Sequence, residues 1–479
     1  MIVPAPTPTP PTYTLRGQVG SFNGPPPPTV SLRLSGGQTG TTTTNPDGSF
    51  AFTGLPFCTD FTVTPDPLEN YTFSPSSVTV TPANQNNPNQ ASPFFNAIPK
   101  LVGFSQPSFT VGEGAGSVKI SVTRSGDISA PATVFYQTAD GTASDRSDYL
   151  AAIGTLRFGP NESTKQITVF ATDDVRPEPS ETFTLTLSAP SGALLGTLST
   201  LVVTITDNDP TNGVNNPADD PQFFVRQHYL DFFNREPDAD GLAFWVDQIT
   251  SCGSDAACRE VRRINVSAAF FLSIEFQQTG YLVYKANQAA FNSSEGLELR
   301  EFLPDLQEIG RGVIIGQPGA DQRLEANKQS FFLGFVQRPA FLAPTAYPLT
   351  LTATEFVDKL NSNTFDPLNP GAGPALTPSQ RQALIDQLGM DATSPTLRAQ
   401  VLRSVAENGI FTQRQFNKAF VLMQYFGYLR RKPNATPDTN FDGYNFWLRK
   451  LIEFNGNFVK AEMVKAFISS DEYRGRFGP

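Results

Sequence analysis

Acidic side chains recur at the edges of the alternating apolar and polar segments in the second hundred residues of this chain. Each lies beside turn residues, and they are too far apart in sequence to form one linear metal-binding loop. If this segment folds as a sandwich, its strand ends converge and the oxygens gather at one pole. A gathered set with no nearby Lys favours Ca²⁺, which takes about 6–8 hard oxygen ligands in loose geometry. The candidate ligands are Glu113, Asp148, Asp173, Asp174, Glu178, Asp207 and Asp209.

Two other roles are open to these carboxylates. They could decorate the loops of a secreted sandwich without binding an ion, although the bound cation is the favoured interpretation. They could also be catalytic, but glycoside hydrolysis needs two carboxylates that face each other across a cleft, one of them with a raised pKa. A pole crowded with acids at turns offers no such cleft, so we expect no catalytic role.

Other signatures of enzymes are almost missing from the sequence. His228 is the only histidine, so a Ser–His–Asp or Cys–His arrangement would have to use it. It lies among aromatic residues at helical spacing, where packing is the favoured role. The sequence contains no Gly-rich phosphate-binding loop, and we expect no enzyme activity and no catalytic residues.

The segment at residues 237–241 (PDADG) has the beginning of an EF-hand loop without its end. Trp245 and Val246 stand where later oxygen ligands are required. We therefore expect the acids to begin or cap a helix, with Phe244 and Trp245 packed in its core. The alternative is a weak cation site at Asp238, Asp240 or Asp442.

Size and charge restrict the class of protein. A chain of 479 residues has room for roughly three domains at about 150 residues each. The formal charge of −10 and the pI near 4.8 argue against nucleic acid and against an anionic membrane surface as partners. No apolar run approaches the ~20 residues that cross a bilayer, so no membrane insertion is expected. The start at Met1 lacks a signal peptide, and the Pro/Thr-rich segment 1–12 is typical of a linker. We expect a processed or fragmentary chain that acts outside the cell or on its surface.

The chain has three cysteines, and two of them lie close together in a loop. Cys252 and Cys258 form the spacing C-x5-C, which with a single distant histidine is a poor zinc signature. In an oxidising compartment they would close a small disulfide loop. Cys58 has no obvious partner, and we expect it to be a buried small residue.

Residues 13–98 read as short strands separated by turns. Segments such as TVSLRLSGG and DFTVTP alternate apolar and polar positions, and Asn45–Gly48 (NPDG) predicts a tight hairpin. The stretches NPDGSFAFTGLP and YTFSPSSVTVT resemble the carboxypeptidase regulatory-like (transthyretin-like) domains of bacterial surface proteins. This resemblance implies an immunoglobulin-like sandwich that acts as a structural spacer.

Residues 100–210 form a second β module with regular strand spacing. The stretches FTVGEGAGSVKISVTRSG, TADGTASDRSDY, GTLRFGPNESTKQITV, DDVRPEPSETFTLTL and VTITDND occur in the order found in Calx-beta domains, which this module resembles. The resemblance implies that the seven acids named above are calcium ligands. Asn208 and Val175 replace acidic residues of that family, which removes charge from the site.

After a polar linker at residues 211–221 the apolar spacing becomes helical, and residues 222–479 are predicted to be α-helical. Capping boxes are predicted at Thr352–Glu355, Thr377–Gln380 and Thr412–Gln415. The region also contains an internal repeat. The stretch FVRQHYLDFFNREPDADGLAFW, within residues 224–276, is similar in sequence to FVLMQYFGYLRRKPNATPDTNFDGYNFW, within residues 420–473. This region resembles the bacterial domain-of-unknown-function family 4214 and, distantly, phycobilisome linkers.

The sequence thus predicts a multidomain chain: two all-β immunoglobulin-like sandwiches, then an all-α domain with an internal repeat. The expected function is a secreted or cell-surface structural protein stiffened by Ca²⁺. It would assemble with itself, as a filament, sheet or S-layer-like coat, or with other envelope components. Two alternatives are an adhesin for a cell-surface or polysaccharide ligand and a non-catalytic part of a larger extracellular enzyme.

Overall fold

The computed structural model describes residues 12–22, 24–81, 92–209, 215–292 and 297–478. The predicted linker 1–12 lies outside these ranges except for its last residue, and residues 211–214 of the predicted linker 211–221 also lie outside them. The strands of the first module are β1 (Tyr13–Gly20), β2 (Ser31–Gly36), β3 (Gly40–Thr43), β4 (Ser49–Leu55), β5 (Phe61–Pro65), β6 (Tyr71–Ser74), β7 (Val78–Val80) and β8 (Phe94–Pro99).

The first module is a sandwich of two four-stranded sheets, ordered β4-β1-β8-β6 and β3-β2-β5-β7. Alternate residues of each strand point inward, so Leu15, Leu32, Phe61 and Phe95 share one core. Cys58 does not join that core, contrary to expectation. It is exposed in the turn before β5, with a left-handed φ of 58°.

The second module is also a sandwich, with strands β9 (Leu101–Phe104), β10 (Ser108–Gly112), β11 (Ser117–Ser125), β12 (Ala132–Asp140), β13 (Ile153–Phe158), β14 (Thr164–Phe170), β15 (Glu181–Ser191), β16 (Leu194–Leu195) and β17 (Thr200–Thr206). One sheet has the order β10-β17-β15-β12-β13 and the other β14-β11-β9-β16. The starts of β11 and β15 and the ends of β10, β14 and β17 meet at one pole, where the loops carry the predicted ligands.

The two sandwiches are joined without a spacer. Lys100 is the one residue between β8 and β9, and its amide donates to the Asn70 carbonyl at 2.9 Å. Its own carbonyl accepts from the Leu194 amide at 2.8 Å, and the Leu194 side chain packs on the core of the first sandwich. The junction is therefore held from both sides.

The remaining described residues are mostly helical: α1 (Pro221–Phe233), α2 (Ala239–Thr250), α3 (Ala256–Leu272), α4 (Ile274–Gln278), α5 (Gly280–Phe291), α6 (Leu299–Gly310), α7 (Ala320–Phe335), α8 (Pro339–Leu342), α9 (Ala353–Asn363), α10 (Pro378–Leu388), α11 (Pro395–Ala406), α12 (Gly409–Tyr428), α13 (Asp442–Glu453), α14 (Met463–Ile468) and α15 (Asp471–Arg474). The predicted fold class, a β-sandwich region followed by a helical region, is confirmed. No helix among the described residues combines the length and apolarity that a membrane crossing requires.

The internal repeat is structural as well as sequential. Arg235 forms a two-pronged ion pair with Glu275, at 3.0 and 2.8 Å, and Arg431 forms the same pair with Glu472. Each copy also has a helix that begins at a capping serine just before this glutamate. The equivalent hydroxyls of Tyr229 and Tyr425 lie 2.4 and 2.7 Å from where a Cβ on Gly241 and Gly443 would stand. A side chain at this point of either copy would therefore force the tyrosine to shift.

Several local predictions in the helical region are confirmed. Cys252 and Cys258 form a disulfide with their Cα atoms 5.6 Å apart. His228 is buried, with its ring nitrogens 2.7 Å from the Phe224 carbonyl oxygen and 2.8 Å from the Ser267 hydroxyl oxygen. Burial lowers the pKa of His228 to about 4. The histidine therefore packs in the core as a neutral ring.

Two local predictions are wrong. Thr412 lies inside α12, because Asn408 caps that helix one turn earlier. Phe244 is 56% exposed, whereas the neighbouring Trp245 packs against the core. Adjacent helical residues point about 100° apart, so both rings cannot face the same core.

Asp238 caps α2 as predicted, accepting from the Gly241 amide at 2.8 Å.

The helical region packs against the second sandwich, and the surface of the sandwich that it contacts is called its seat. Helix α6 lies along the edge strand β13, where Arg157 pairs with Glu308 at 3.1 Å. Ala151 and Ile153 belong to the same apolar cluster as the helical core. An edge strand with free backbone groups would otherwise be open to pairing with other chains. The helices cover this one.

Candidate metal centre

Three carboxylates from separate loops form the first acidic group at the pole of the second sandwich. Glu113 begins a short 3-10 turn directly after β10, Asp174 follows β14, and Asp209 follows β17. One oxygen of each lies within 4.8 Å of the others. Glu113 and Asp174 are buried, and Asp209 is partly buried. Parallel pairing of β10 with β17 brings the two strand ends to the same edge, which is why the first and last acids of the module meet.

Backbone amides donate hydrogen bonds to two of the three carboxylates in this group. Asn208 donates to Glu113 Oε1 at 3.3 Å, and Arg176 donates to Asp174 Oδ1 at 2.6 Å. The Oδ2 atom of Asp209 is buried and accepts from no backbone or cationic donor among the described residues, and the carboxyls of Glu113 and Asp209 are close enough to share a proton. Burial of this oxygen without a partner is costly, and either a shared proton or a bound cation would satisfy it.

A second acidic group lies beside the first. It consists of Asp148, Glu178 and Glu181, again with one oxygen of each within 4.8 Å of the others. The Ser144 amide donates to Asp148 Oδ2 at 2.6 Å and fixes that side chain. Glu181 was absent from the predicted ligands, because it opens the strand β15 and reads as part of the strand. Its position three residues after Glu178, in the segment that leads away from the pole, is the sequence feature that could have identified it as a ligand.

Asp173 and Asp207 lie at the same pole without entering either group. Asp207 Oδ1 accepts the amide of Asp209 at 3.1 Å, which ties it to its own turn. Asp173 precedes Asp174 in the segment after β14 and contributes no oxygen to either group. The negative charge of both still raises the pKa of Asp209, after the larger effect of burial.

The electrostatics of the pole disfavour the metal-free ionised state. Burial, with the charges of Asp174 and Asp209, raises the pKa of Glu113 to about 8. Burial, with the neighbouring Asp148, raises the pKa of Glu181 to about 7. Burial is also the main reason why the pKa values of Asp174 and Glu178 are raised. Arg176 is the cation whose charge offsets part of this, and it is exposed.

The donor set fits Ca²⁺. Each group offers three carboxylates, hard oxygen donors that can bind through one or both oxygens, and the surrounding loops add backbone carbonyls. A divalent cation would neutralise the charges that burial and mutual repulsion disfavour. Glu113, Asp174 and Asp209 would hold one ion, and Asp148, Glu178 and Glu181 would hold another.

The pH dependence of the metal-free protein follows from these shifts. A carboxyl whose folded pKa exceeds its ordinary value near 4.5 binds its proton more tightly in the folded state. Its stabilising effect is complete below about pH 4.5 and is lost as the pH rises through about 8 for Glu113 and about 7 for Glu181. Calorimetry in chelator should show the free energy of unfolding of the second sandwich falling by about 2 kcal/mol across this window, after allowance for solvent screening.

The double variant E113Q/E181Q is the control for this pH profile, because glutamine keeps the shape and does not titrate. Its profile should be flatter than that of the wild type across the same window, because only Asp174, Glu178 and Asp209 then keep raised pKa values. A wild-type profile that rises with pH would contradict the raised pKa values.

The loops of the acidic pole also touch the helical region. Arg226 of α1 reaches the Gly116 carbonyl at 3.5 Å, three residues after Glu113. Arg476 donates to the Arg146 carbonyl at 3.0 Å, two residues before Asp148. Val175, next to Asp174, packs against Gly478. The loops that carry Glu113, Asp148 and Asp174 therefore also contact the helical region.

Comparison with known proteins places this module in a family. Residues 96–209 match the Calx-beta domain. The extracellular matrix organizing protein FRAS1 of Mus musculus is 40% identical over 118 residues, which is 23% of this chain and 3% of that protein. The sodium/calcium exchanger Calx of Drosophila melanogaster is 36% identical over 107 residues, 22% of this chain and 11% of the exchanger. The chain therefore spans only a small part of these relatives.

Among solved structures, the apo-form Calx CBD1 domain is 35% identical to this chain. The match covers 23% of this chain and 98% of that domain, with a TM-score of 0.23. A structure of calcium binding domain CBD12 of CALX1.1 is also 35% identical and covers 23% of this chain, with the same TM-score.

Proposed function

We propose that this chain is an extracellular structural protein whose second sandwich binds Ca²⁺ at its acidic pole and thereby braces the seat of the helical region. The observation that carries this proposal is the pair of acidic groups, in each of which three carboxylates have an oxygen within 4.8 Å of the others. The sandwiches give a stiff stalk, and the helical region supplies contacts to other copies of the chain or to envelope components.

The bracing is electrostatic. Without an ion, the carboxylates repel one another and the loops that bear them loosen. With an ion, the end of β17 is tied to the loops after β10 and β14. Because these loops also hold Arg226 and the C-terminal residues near Gly478, ordering them orders the helical region as well.

An extracellular location is supported by two independent features. The disulfide between Cys252 and Cys258 persists in oxidising compartments. The Calx-beta relatives include a protein named for the extracellular matrix. The first sandwich, proposed to be a carboxypeptidase regulatory-like domain, would act as a spacer, and the helices would be those of domain-of-unknown-function family 4214.

Self-assembly is tested by sedimentation velocity and negative-stain imaging of the purified protein in calcium and in chelator. We expect particles larger than the monomer in calcium and fewer or less regular ones in chelator. A monodisperse monomer under both conditions would count against assembly while leaving calcium binding open to separate measurement by calorimetric titration.

A second candidate, an adhesin for a cell-surface or polysaccharide ligand, is favoured by one observation. Two aromatic side chains of the helical region, Phe244 and Phe446, are 56% and 49% exposed. Binding of purified polysaccharide by a protein that stays monomeric would favour the adhesin.

A further inference from the structure

The two copies of the helical repeat expose the same aromatic side chain. Phe244 of α2 and Phe446 of α13 occupy equivalent positions, and their exposed fractions are 56% and 49%. Each stands edge-on to the tryptophan that follows it, with ring centroids 4.8 and 5.0 Å apart. The tryptophans and the ion pairs of the repeat have partners inside the molecule, whereas these rings keep about half their surface in solvent. An exposed aromatic held rigid by a neighbouring ring is well suited to anchor an interface.

The charge beside this ring differs between the copies. Asp247 lies three residues after Phe244, and Arg449 lies three residues after Phe446, so each charge shares a helix face with its ring. Both are exposed, and neither makes an ion pair within the ranges that the structure describes. Asp240 and Asp442, one turn before the rings, are acidic in both copies. The two faces therefore differ in charge at Asp247 and Arg449, and again at the next position, where Gln248 is replaced by Lys450.

The two faces belong to separate parts of the helical region. Helix α2 packs against α1 and α3, whereas α13 packs against α12. A single molecule therefore offers an α2 face, defined by Phe244 and Asp247, and an α13 face, defined by Phe446 and Arg449. These faces carry the same Phe-Trp pair, because they are copies of one motif, and have opposite charges three residues after the phenylalanine.

We propose that the α2 face of one copy of this chain docks on the α13 face of a second copy. This rests on the self-assembly in the proposed function and names the surface that performs it. A two-fold contact between two α2 faces would oppose the acids Asp240 and Asp247, whereas one between two α13 faces would lay Arg449 near Asp442. The heterologous pairing opposes Asp247 to Arg449, and a loss of association in R449D but not in D247R would overturn it in favour of contact between two α13 faces. A heterologous contact that does not close into a ring propagates, so the product is an open chain of molecules.

The test is a charge exchange in the full chain, followed by sedimentation velocity in calcium over a range of protein concentrations. D247R and R449D each place like charges across the contact, and we expect each to weaken association by about tenfold or more. An equimolar mixture of the two variants restores unlike charges at every contact between different variants, so association should return to near the wild-type level. Both substitutions are on exposed helix surface and should leave the fold intact. D321R, which reverses an exposed acid of α7 that makes no ion pair in the described part of the chain, is the matched control and should associate like the wild type.

Recovery in the mixture, with loss in each variant alone, would support the α2 to α13 contact. Association that neither variant changes would overturn this contact and leave self-assembly through another surface. A wild-type monomer at every concentration would overturn both the contact and the assembly part of the proposed function. Loss in the variants without recovery in the mixture would also overturn the pairing, because complementary charges would then not suffice.

Discussion

Calcium should raise the unfolding temperature of the second sandwich by about 15–20 °C. An ion that binds only the folded state adds about 2.7 kcal/mol when its concentration is a hundredfold above the dissociation constant, so two sites add about 5 kcal/mol. A domain of this size shifts by about 3–4 °C for each kcal/mol. Differential scanning calorimetry in calcium and in chelator measures the shift directly. Magnesium should give a much smaller one, because it demands a compact octahedral site and gives up its water reluctantly.

The variants E113Q and E181Q, one in each acidic group, should change the metal-free and the calcium-bound unfolding temperatures in opposite directions. Each removes a repelled charge, so the metal-free unfolding temperature should equal or exceed that of the wild type. Each also removes a ligand, so the calcium-bound temperature should fall below the wild-type value. Loop decoration without an ion predicts no difference between conditions.

Asp127→Asn is the matched control for these variants. Asp127 lies at the other end of β11, beside Lys100, with which it pairs at 3.6 Å. Its removal should change the calcium response little. If calcium and chelator give the same unfolding temperature for the wild type, the carboxylates of the pole do not hold a cation.

The sequence predicted the pole but not its internal grouping. Patterned strands and the Calx-beta resemblance brought the loops of Glu113, Asp174 and Asp209 together, and the structure places them within one group. Which carboxylates share a group depends on side-chain direction at the strand ends. That is why Asp207 turns back to its own loop while Glu181, at the start of a strand, faces Asp148 and Glu178.

The seat of the helical region could not be predicted at all. It depends on pairs such as Arg300 with Asp145, at 2.7 Å, which are more than a hundred residues apart and follow no periodic pattern. The exposure of Phe244 escaped prediction for a related reason. Apolar spacing identifies which residues are able to pack, but only the neighbouring helices decide which of two adjacent rings is covered.

The largest destabilisation is expected from Asp231→Ala. Asp231 is buried in α1 and receives both terminal nitrogens of the Arg476 guanidinium at 3.0 Å. A second buried guanidinium, that of Arg430, lies 3.9 Å away. Removing the carboxylate leaves two buried cations without their counter-ion, which costs about 3–5 kcal/mol. Chemical denaturation followed by tryptophan fluorescence measures this loss, because both tryptophans of the chain, Trp245 and Trp447, lie in the helical region.

Asp219→Ala is the control for this prediction, because it removes one partner of an exposed ion pair. Asp219 forms an equally well-shaped pair with Arg474, at 2.7 and 2.9 Å, but its side chain is 57% exposed. Exposed pairs contribute about 0–1 kcal/mol, so this variant should be nearly as stable as the wild type. Because Arg476 also holds the Arg146 carbonyl in the loop leading to Asp148, loss of Asp231 should loosen the sandwich seat as well as the helical core. Equal stability of the two variants would contradict this prediction, because it would mean that burial of the Asp231 pair adds nothing to the cost of losing the carboxylate.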